Sequence, residues 1–293
     1  AEDLYNAARE YHNLGTVAQE HRQFDVAVDY YNKALKIYED AEDLYNAARE
    51  YHNLGTVAQE HRQFDVAVDY YLKALKIFED AGDLYSAARE YHQLGTVAQE
   101  HRQFDVAVDY YNKALKIRED AGDLYSAVSD YHTLGTVAQE QRQFDVAVDY
   151  YNKALKIFED AEDLYSAATV YHNLGSVAEE QRQFDLVINY YQKAWEICEQ
   201  FRDWYRASQT LGKWGRVLEA QENYADALPI YIHALAIELK HNKDLIDYYI
   251  DALARMLKQL GESQFQPIWR ETTGEECAGG AREAIWTAQD RLG

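Results

Sequence analysis

The sequence predicts an all-α protein of the solenoid class, and three observations carry that prediction. A forty-residue paragraph, AEDLYNAAREYHNLGTVAQEHRQFDVAVDYYNKALKIYED, begins at Ala1 and restarts at Ala41, Ala81, Ala121 and Ala161. Each copy holds two apolar periodicities separated by a short polar break, so one copy is a helical hairpin that must stack on its neighbours to bury its faces. The chain has 2 prolines and 14 glycines in 293 residues, and its helical period leaves nothing that favours sheet.

The first two copies differ only at Asn32 against Leu72 and Tyr38 against Phe78, so the second serves as the template. Leu44, Ala47, Ala48, Tyr51, Leu54, Gly55 and Ala58 follow three-four spacing, which predicts a first helix, A, from Asp43 to about Glu60. His61-Arg62-Gln63 forms the turn. Phe64, Ala67, Val68, Tyr71, Ala74, Leu75 and Phe78 then predict helix B, with Asp65 in its first turn. So short a break makes A and B antiparallel neighbours. Gly55 and Ala58 are expected to face Ala67 and Ala74, with Tyr51, Phe64 and Tyr71 filling the spaces between. A second apolar set on helix B, Val66, Tyr70 and Ile77, is expected to bury against the next copy.

Six copies are predicted, at 1–40, 41–80, 81–120, 121–160, 161–200 and 201–240. The sixth keeps Trp204, Tyr205, Ala207, Trp214, Gly215, Tyr224, Ala227, Tyr231, Ala234 and Leu235 at template positions. Residues 241–293 read as a degenerate repeat and a C-terminal helical cap. There Pro267 suits the first turn of a helix, and Gly274 and Gly279-Gly280 punctuate. Ala281, Ala284, Ile285, Trp286 and Ala288 give the last helix an apolar side that is expected to cover the final repeat. A docking site around Trp269 and Trp286 is the alternative. Because the chain opens inside the repeat pattern at Ala1, it is read as the C-terminal part of a longer protein.

A formal net charge of -22 argues against nucleic acid or an anionic membrane as partner and favours a basic or neutral one. Cys198 and Cys277 stand in unrelated contexts, so neither a disulfide framework nor a cysteine-rich metal site is indicated. With no apolar run long enough to span a bilayer and no signal peptide, a cytoplasmic protein is expected.

Tyr51, Leu54-Gly55, Phe64, Ala67, Tyr71 and Ala74 stand in the order of the tetratricopeptide repeat, and the chain resembles that family from residue 1 to about 240. The family's aromatic late in helix A is Ala58 here, and its proline at the end of helix B is Glu79. The forty-residue period is similar to the long repeats of cell-polarity scaffolds and of bacterial STAND-type signalling ATPases. The resemblance implies a right-handed superhelix whose concave groove, lined by A helices, binds a protein or peptide, with no cofactor and no enzymatic activity.

Carried over residue by residue, the family's groove positions are Arg49, His52, Thr56, Gln59 and Glu60. The first copy repeats them as Arg9, His12, Thr16, Gln19 and Glu20, and the third as Arg89, His92, Thr96, Gln99 and Glu100. In the fourth and fifth copies His132, Thr136, Gln139 and His172 continue the series, while Ser129 and Thr169 replace the arginine. Such a ladder suits an extended or helical polypeptide better than a small molecule. The competing account is that duplication copied a solvated face. The sixth copy departs most, and Arg216 is its candidate contact.

The recurrent histidines do not form a metal site on this geometry. Packed helices lie about 8 to 10 Å apart, too far for residues of successive copies to share a zinc ion with bonds of about 2 Å. Repeated acids lack the single unlike constellation of a catalytic pocket, and no phosphate loop, HExxH helix, calcium loop or nucleophile elbow is present. The leading expectation is a protein-recognition scaffold. The alternatives are the C-terminal sensor arm of a larger bacterial signalling ATPase and a structural repeat that self-associates head to tail.

Overall fold

The computed structural model describes residues 2–291. In it the chain forms two compact units, Ala1–Tyr150 and Tyr151–Gly293, and α8 (Phe144–Asp160) carries the boundary between them. The first unit runs α1 (Glu2–Glu20), α2 (Phe24–Asp40), α3 (Leu44–Glu60), α4 (Phe64–Asp80), α5 (Leu84–Glu100), α6 (Phe104–Asp120) and α7 (Leu124–Glu140). The second contains α9 (Leu164–Glu180), α10 (Phe184–Gln200), α11 (Trp204–Ala220), α12 (Tyr224–Ile237), α13 (Ile246–Leu260), α14 (Glu262–Thr273) and α15 (Gly279–Arg291), with a π-helical turn at Glu238–Asn242 after α12. The fold is all-α, a solenoid of tandem helix pairs in each unit. Within each unit consecutive helices pack on one another, α1 through α7 in the first and α9 through α13 in the second.

Helix A of each copy from the second to the sixth starts at an aspartate. The Asp43 carboxylate accepts the amide of Asn46 at 3.1 Å, and Asp83, Asp123, Asp163 and Asp203 cap the later A helices in the same way. The Ser126 hydroxyl and amide, bonded to the Asp123 carboxyl, hold it below the usual carboxylate range. The B helices have no side-chain cap at Gln23, Gln63 or Gln103 and carry an acid in the first turn instead.

Every hairpin turn needs one left-handed residue. Arg62 (φ 59°) fills that role before α4, and its amide and that of Gln63 return to the carbonyls of Gln59 and Ala58 at 2.8 Å. Between copies the same role falls to Glu42 (φ 53°), Gly82, Gly122 and Glu162 (φ 56°). A side chain in this region costs about 1 kcal/mol that glycine avoids, against glycine's greater loss of chain entropy. Glu162→Gly, which copies Gly82 and Gly122, is therefore expected to stabilise the second unit by about 0.5 kcal/mol. Thermal unfolding reads this as a higher midpoint, and a lower one would contradict it.

The core of each pair is one buried tyrosine. Tyr31, Tyr71 and Tyr111 in the first unit and Tyr191 and Tyr231 in the second are at most 1 % exposed. Each lies flat against a glycine of its own A helix: a Cβ placed on Gly55 would stand 2.7 Å from the Tyr71 ring. The glycine is there to admit the ring: Gly55 meets Tyr71 first, while Ala58 shares one core cluster with Ala67 and Ala74.

Three further expectations change. Leu44, placed in the apolar stripe by its spacing, is 59 % exposed, as are its counterparts Leu84 and Leu124 to similar degrees, although Ala47 in the same turn is buried. Val66 is also exposed, while Tyr70 and Ile77 of the same set are half-buried. Pro267 lies beyond the first turn of α14, which begins at Glu262.

In the second unit α13 and α14 pack on α12 and α15 packs on α13, together building an apolar cluster that includes Tyr249, Leu253, Met256, Phe265 and Ile285. Trp269 is buried there, and Trp286 packs edge-on to Phe265 beneath the Arg282 guanidinium, 4.4 Å from its ring. These indoles belong to the cap's own core. Glu238, 1 % exposed, anchors the connection by accepting the amides of Asp244 (3.1 Å) and Leu245 (3.2 Å) and the Ser208 hydroxyl (2.5 Å).

Candidate functional site on the A helices

The predicted ladder lies on the A helices, and the structure shows what holds it in place. In the first copy the Tyr31 hydroxyl bonds the Thr16 hydroxyl at 3.3 Å and the Gln19 carbonyl at 3.0 Å. The amide of Gln19 donates to Glu60 of the next copy at 3.0 Å. The rung recurs with Tyr71, Thr56, Gln59 and Glu100, and again with Tyr111, Thr96, Gln99 and Glu140. Each threonine hydroxyl also returns to the histidine carbonyl one turn earlier, from Thr16 to His12 and from Thr136 to His132. Threonine and glutamine are therefore fixed from below by a buried phenol and, in glutamine's case, from the side by the neighbouring repeat.

The histidines join successive copies. His12 Nδ1 lies 2.9 Å from Glu50, His52 2.9 Å from Glu90 and His92 2.7 Å from Asp130. Those three acids are at most 2 % exposed. A buried carboxylate is costly unless paired, and here each is paired across a repeat boundary. The Asp130 pair is reinforced by Arg118, whose guanidinium nitrogen stands 2.7 Å from the second carboxylate oxygen. Arg118 occupies the frame position of Tyr38 and Phe78, so ring and glutamate in the earlier copies became arginine and aspartate together.

Of the predicted contacts, Arg9 and Arg49 are exposed, whereas Arg89 is half-buried beside Glu90 at 3.5 Å. His132, Thr136 and Gln139 are half-buried. An open recess on this face is lined by Thr16, Gln19, Glu20 and Glu60, with Arg22 and Phe24 below.

The second unit keeps the rung with charges exchanged. Tyr191 bonds Ser176 (3.3 Å) and Glu179 (3.1 Å), and the other oxygen of Glu179 receives Arg216 at 3.2 Å. Lys213 donates to Ser176 at 3.0 Å. One repeat later Tyr231 bonds Glu219, which Arg255 grips through both carboxylate oxygens at 2.6 and 3.1 Å. Arg216 thus performs the bridging task that Glu60 performs in the first unit, and it keeps an exposed side chain.

His172 bonds the Thr210 hydroxyl at 3.2 Å where the earlier histidines meet an acid. Burial, with Lys213 and Arg206 adding to it, holds its imidazole down at about 4, from an ordinary 6.5. The unfolded chain therefore takes up this proton first, so the contribution to stability is present above pH 6.5 and is lost as pH falls toward 4. That gap corresponds to on the order of 3 kcal/mol. His172→Gln is expected to flatten the fall in the unfolding midpoint between pH 6.5 and 4.5. Burial holds His132 down as well and leaves a residual slope.

The sequence reading missed the buried acids Glu50, Glu90 and Asp130, because an acid next to a polar groove position, Arg49, Arg89 or Ser129, reads as part of a solvated face. The available signal was the joint change at Arg118 and Asp130. Among the described residues, no three His, Cys, Asp or Glu side chains converge as a metal site would require. No helix among them is long and apolar enough to cross a membrane.

Two family models described as tetratricopeptide repeat match the chain, one over residues 46–120 and 125–200 and the other over 5–40. Among solved structures, BtubC from P. vanneervenii is 20% identical, with a TM-score of 0.63 over 82% of this chain and 92% of its own. The apo form of RapI is 16% identical, with a TM-score of 0.65 over 96% of this chain and 99% of its own. The signal transduction ATPase with numerous domains from Pyrococcus horikoshii, which carries a tetratricopeptide repeat sensor, is 17% identical. Its TM-score is 0.69 over 97% of this chain and 46% of its own. No curated protein matches the chain.

Proposed function

Because the chain belongs to the tetratricopeptide repeat family, whose members are protein-interaction scaffolds, we propose that it is a recognition module binding a polypeptide segment along the exposed face of its A helices. The observation that carries this reading is the ladder itself. Histidine, threonine and glutamine side chains recur once per repeat, are held by buried partners and remain partly open to solvent. Donors and acceptors fixed before the ligand arrives lose little entropy on binding, and a repeat spacing suits the repeat of a polypeptide backbone.

The test is affinity capture from the source cell's lysate with the parent chain and with Arg9→Glu combined with Arg49→Glu, both exposed. Arg89 is left intact because it neighbours the buried Glu90. A polypeptide retained by the parent and lost from the variant supports the A-helix face; equal retention contradicts it. The second reading, a sensor arm of a larger signalling ATPase, draws on the likeness in fold to the Pyrococcus sensor. A GxxxxGK[ST] loop encoded upstream of Ala1 in the gene is its expected mark.

A further inference from the structure

In the second unit a cavity of about 140 Å³ lies between α9, α10 and α11. Ala168 and Cys198 form its apolar wall, the buried Thr210 with His172 forms a polar wall, and the exposed Arg206 borders it. Internal substitution created this space. The frame position of Cys198 belongs to Tyr38, Phe78, Arg118 and Phe158 in the earlier copies, and that of Thr210 to Glu50, Glu90, Asp130 and Val170. Where the first unit places Phe78 and Glu90, both are fully buried and fill the volume.

We propose that this cavity is a binding site for a single aromatic ring presented from the A-helix face. Its volume is close to that of cavities that accept a benzene ring, while Thr169, His172, Gln209 and Thr210 add polar groups to the apolar Ala168 and Cys198 and suit a ring that carries a hydroxyl. The missing wall atoms are those of a ring, since Tyr5 and Tyr45 pack edge-on against Tyr38 and Phe78 at 5.9 and 5.7 Å. Their counterpart Tyr165 keeps the bond to the capping aspartate, Asp203 at 2.9 Å, but meets no ring at Cys198 and packs 5.5 Å from Phe201 instead. The Arg206 guanidinium, 5.1 Å over Tyr165 and 3.4 Å from Asp203, donates to Thr169 at 3.2 Å and so is held in place at the rim, where its edge borders an entering ring. No carboxylate lines the space. Burial pushes the Cys198 thiol up to about 11, so the wall stays neutral at physiological pH.

The mouth opens beside Thr169 and His172, the frame positions of Arg49 and His52. A ring carried by a bound polypeptide therefore rests on the recognition reading above. A ring carried by a free small aromatic does not.

The test titrates p-cresol into the full chain and follows backbone amide resonances. Saturable shifts confined to Thr169, His172, Cys198, Gln209 and Thr210 are expected, with a Kd on the order of 1 mM. Cys198→Phe and Thr210→Glu, which restore residues used in the second copy, are each expected to weaken binding at least tenfold. Cys198→Phe should also raise the unfolding midpoint, which shows that it folds. Shifts elsewhere, no saturation, or shifts unaltered by both variants would overturn the proposal. If p-cresol binds here and competes with the captured polypeptide, the ring is a side chain; if it binds without competing, the site serves a free aromatic. Failure of the lysate capture leaves the p-cresol result standing by itself.

Discussion

A single methyl group added at Gly95 is expected to destabilise the first unit by about 2 kcal/mol, although alanine is the better helix former by about 1 kcal/mol. Its Cβ would stand 2.7 Å from two carbons of the Tyr111 ring. That ring is fully buried, and its hydroxyl is bonded to Thr96 and Gln99, so it has no room to retreat and its anchor opposes any shift. Hydrogen exchange should report the loss as faster opening of α5 and α6. Gly82→Ala supplies the contrast: no atom lies within 4 Å of its Cβ, and only the backbone at φ +70° resists, at about 1 kcal/mol. Equal costs at the two positions would mean that the ring yields and that the glycine is not there to admit it.

Asp130→Ala is expected to cost about 3 kcal/mol, because it strands the Arg118 guanidinium and the His92 imidazole beside a buried hole. Both groups lie 2.7 Å from the carboxylate, and the Arg118 side chain is only 12% exposed. Restoring the residues of the preceding junction through Arg118→Phe with Asp130→Glu should recover most of the loss, since Phe78 and Glu90 already fill that frame. The pair should therefore couple in a double-mutant cycle by about 2 kcal/mol. Additive single effects would show that the two substitutions arose independently.

These two sites also show what the sequence made legible. Repetition declared the helix pairs and their limits, and the aspartate before each A helix marked its start, as Asp43 bonded to the Asn46 amide demonstrates. Spacing assigns a direction to the apolar stripe but not its length, so Leu44 falls on the stripe although it is exposed at the helix start, three residues before the buried Ala47. The ladder residues were legible as a set on one helix face. Their attachment was not, because it depends on which residues meet across a boundary thirty-eight positions apart, as His52 meets Glu90. A glutamate at that position looks like solvent-facing charge until its histidine partner is placed against it. The cavity beside Cys198 was hidden for the same reason: two shrinking substitutions leave a hole only when their side chains share one space.

The A-helix face, rigidified by its own tyrosines and acids, is the surface proposed to receive a polypeptide. Hydrogen–deuterium exchange of the full chain, with and without the captured polypeptide, tests it most directly. Protection gathered on the A helices α3, α5, α9 and α11, with the B helices α4 and α6 unchanged, is the predicted result. Protection confined to the B helices or to α13, α14 and α15 would contradict it.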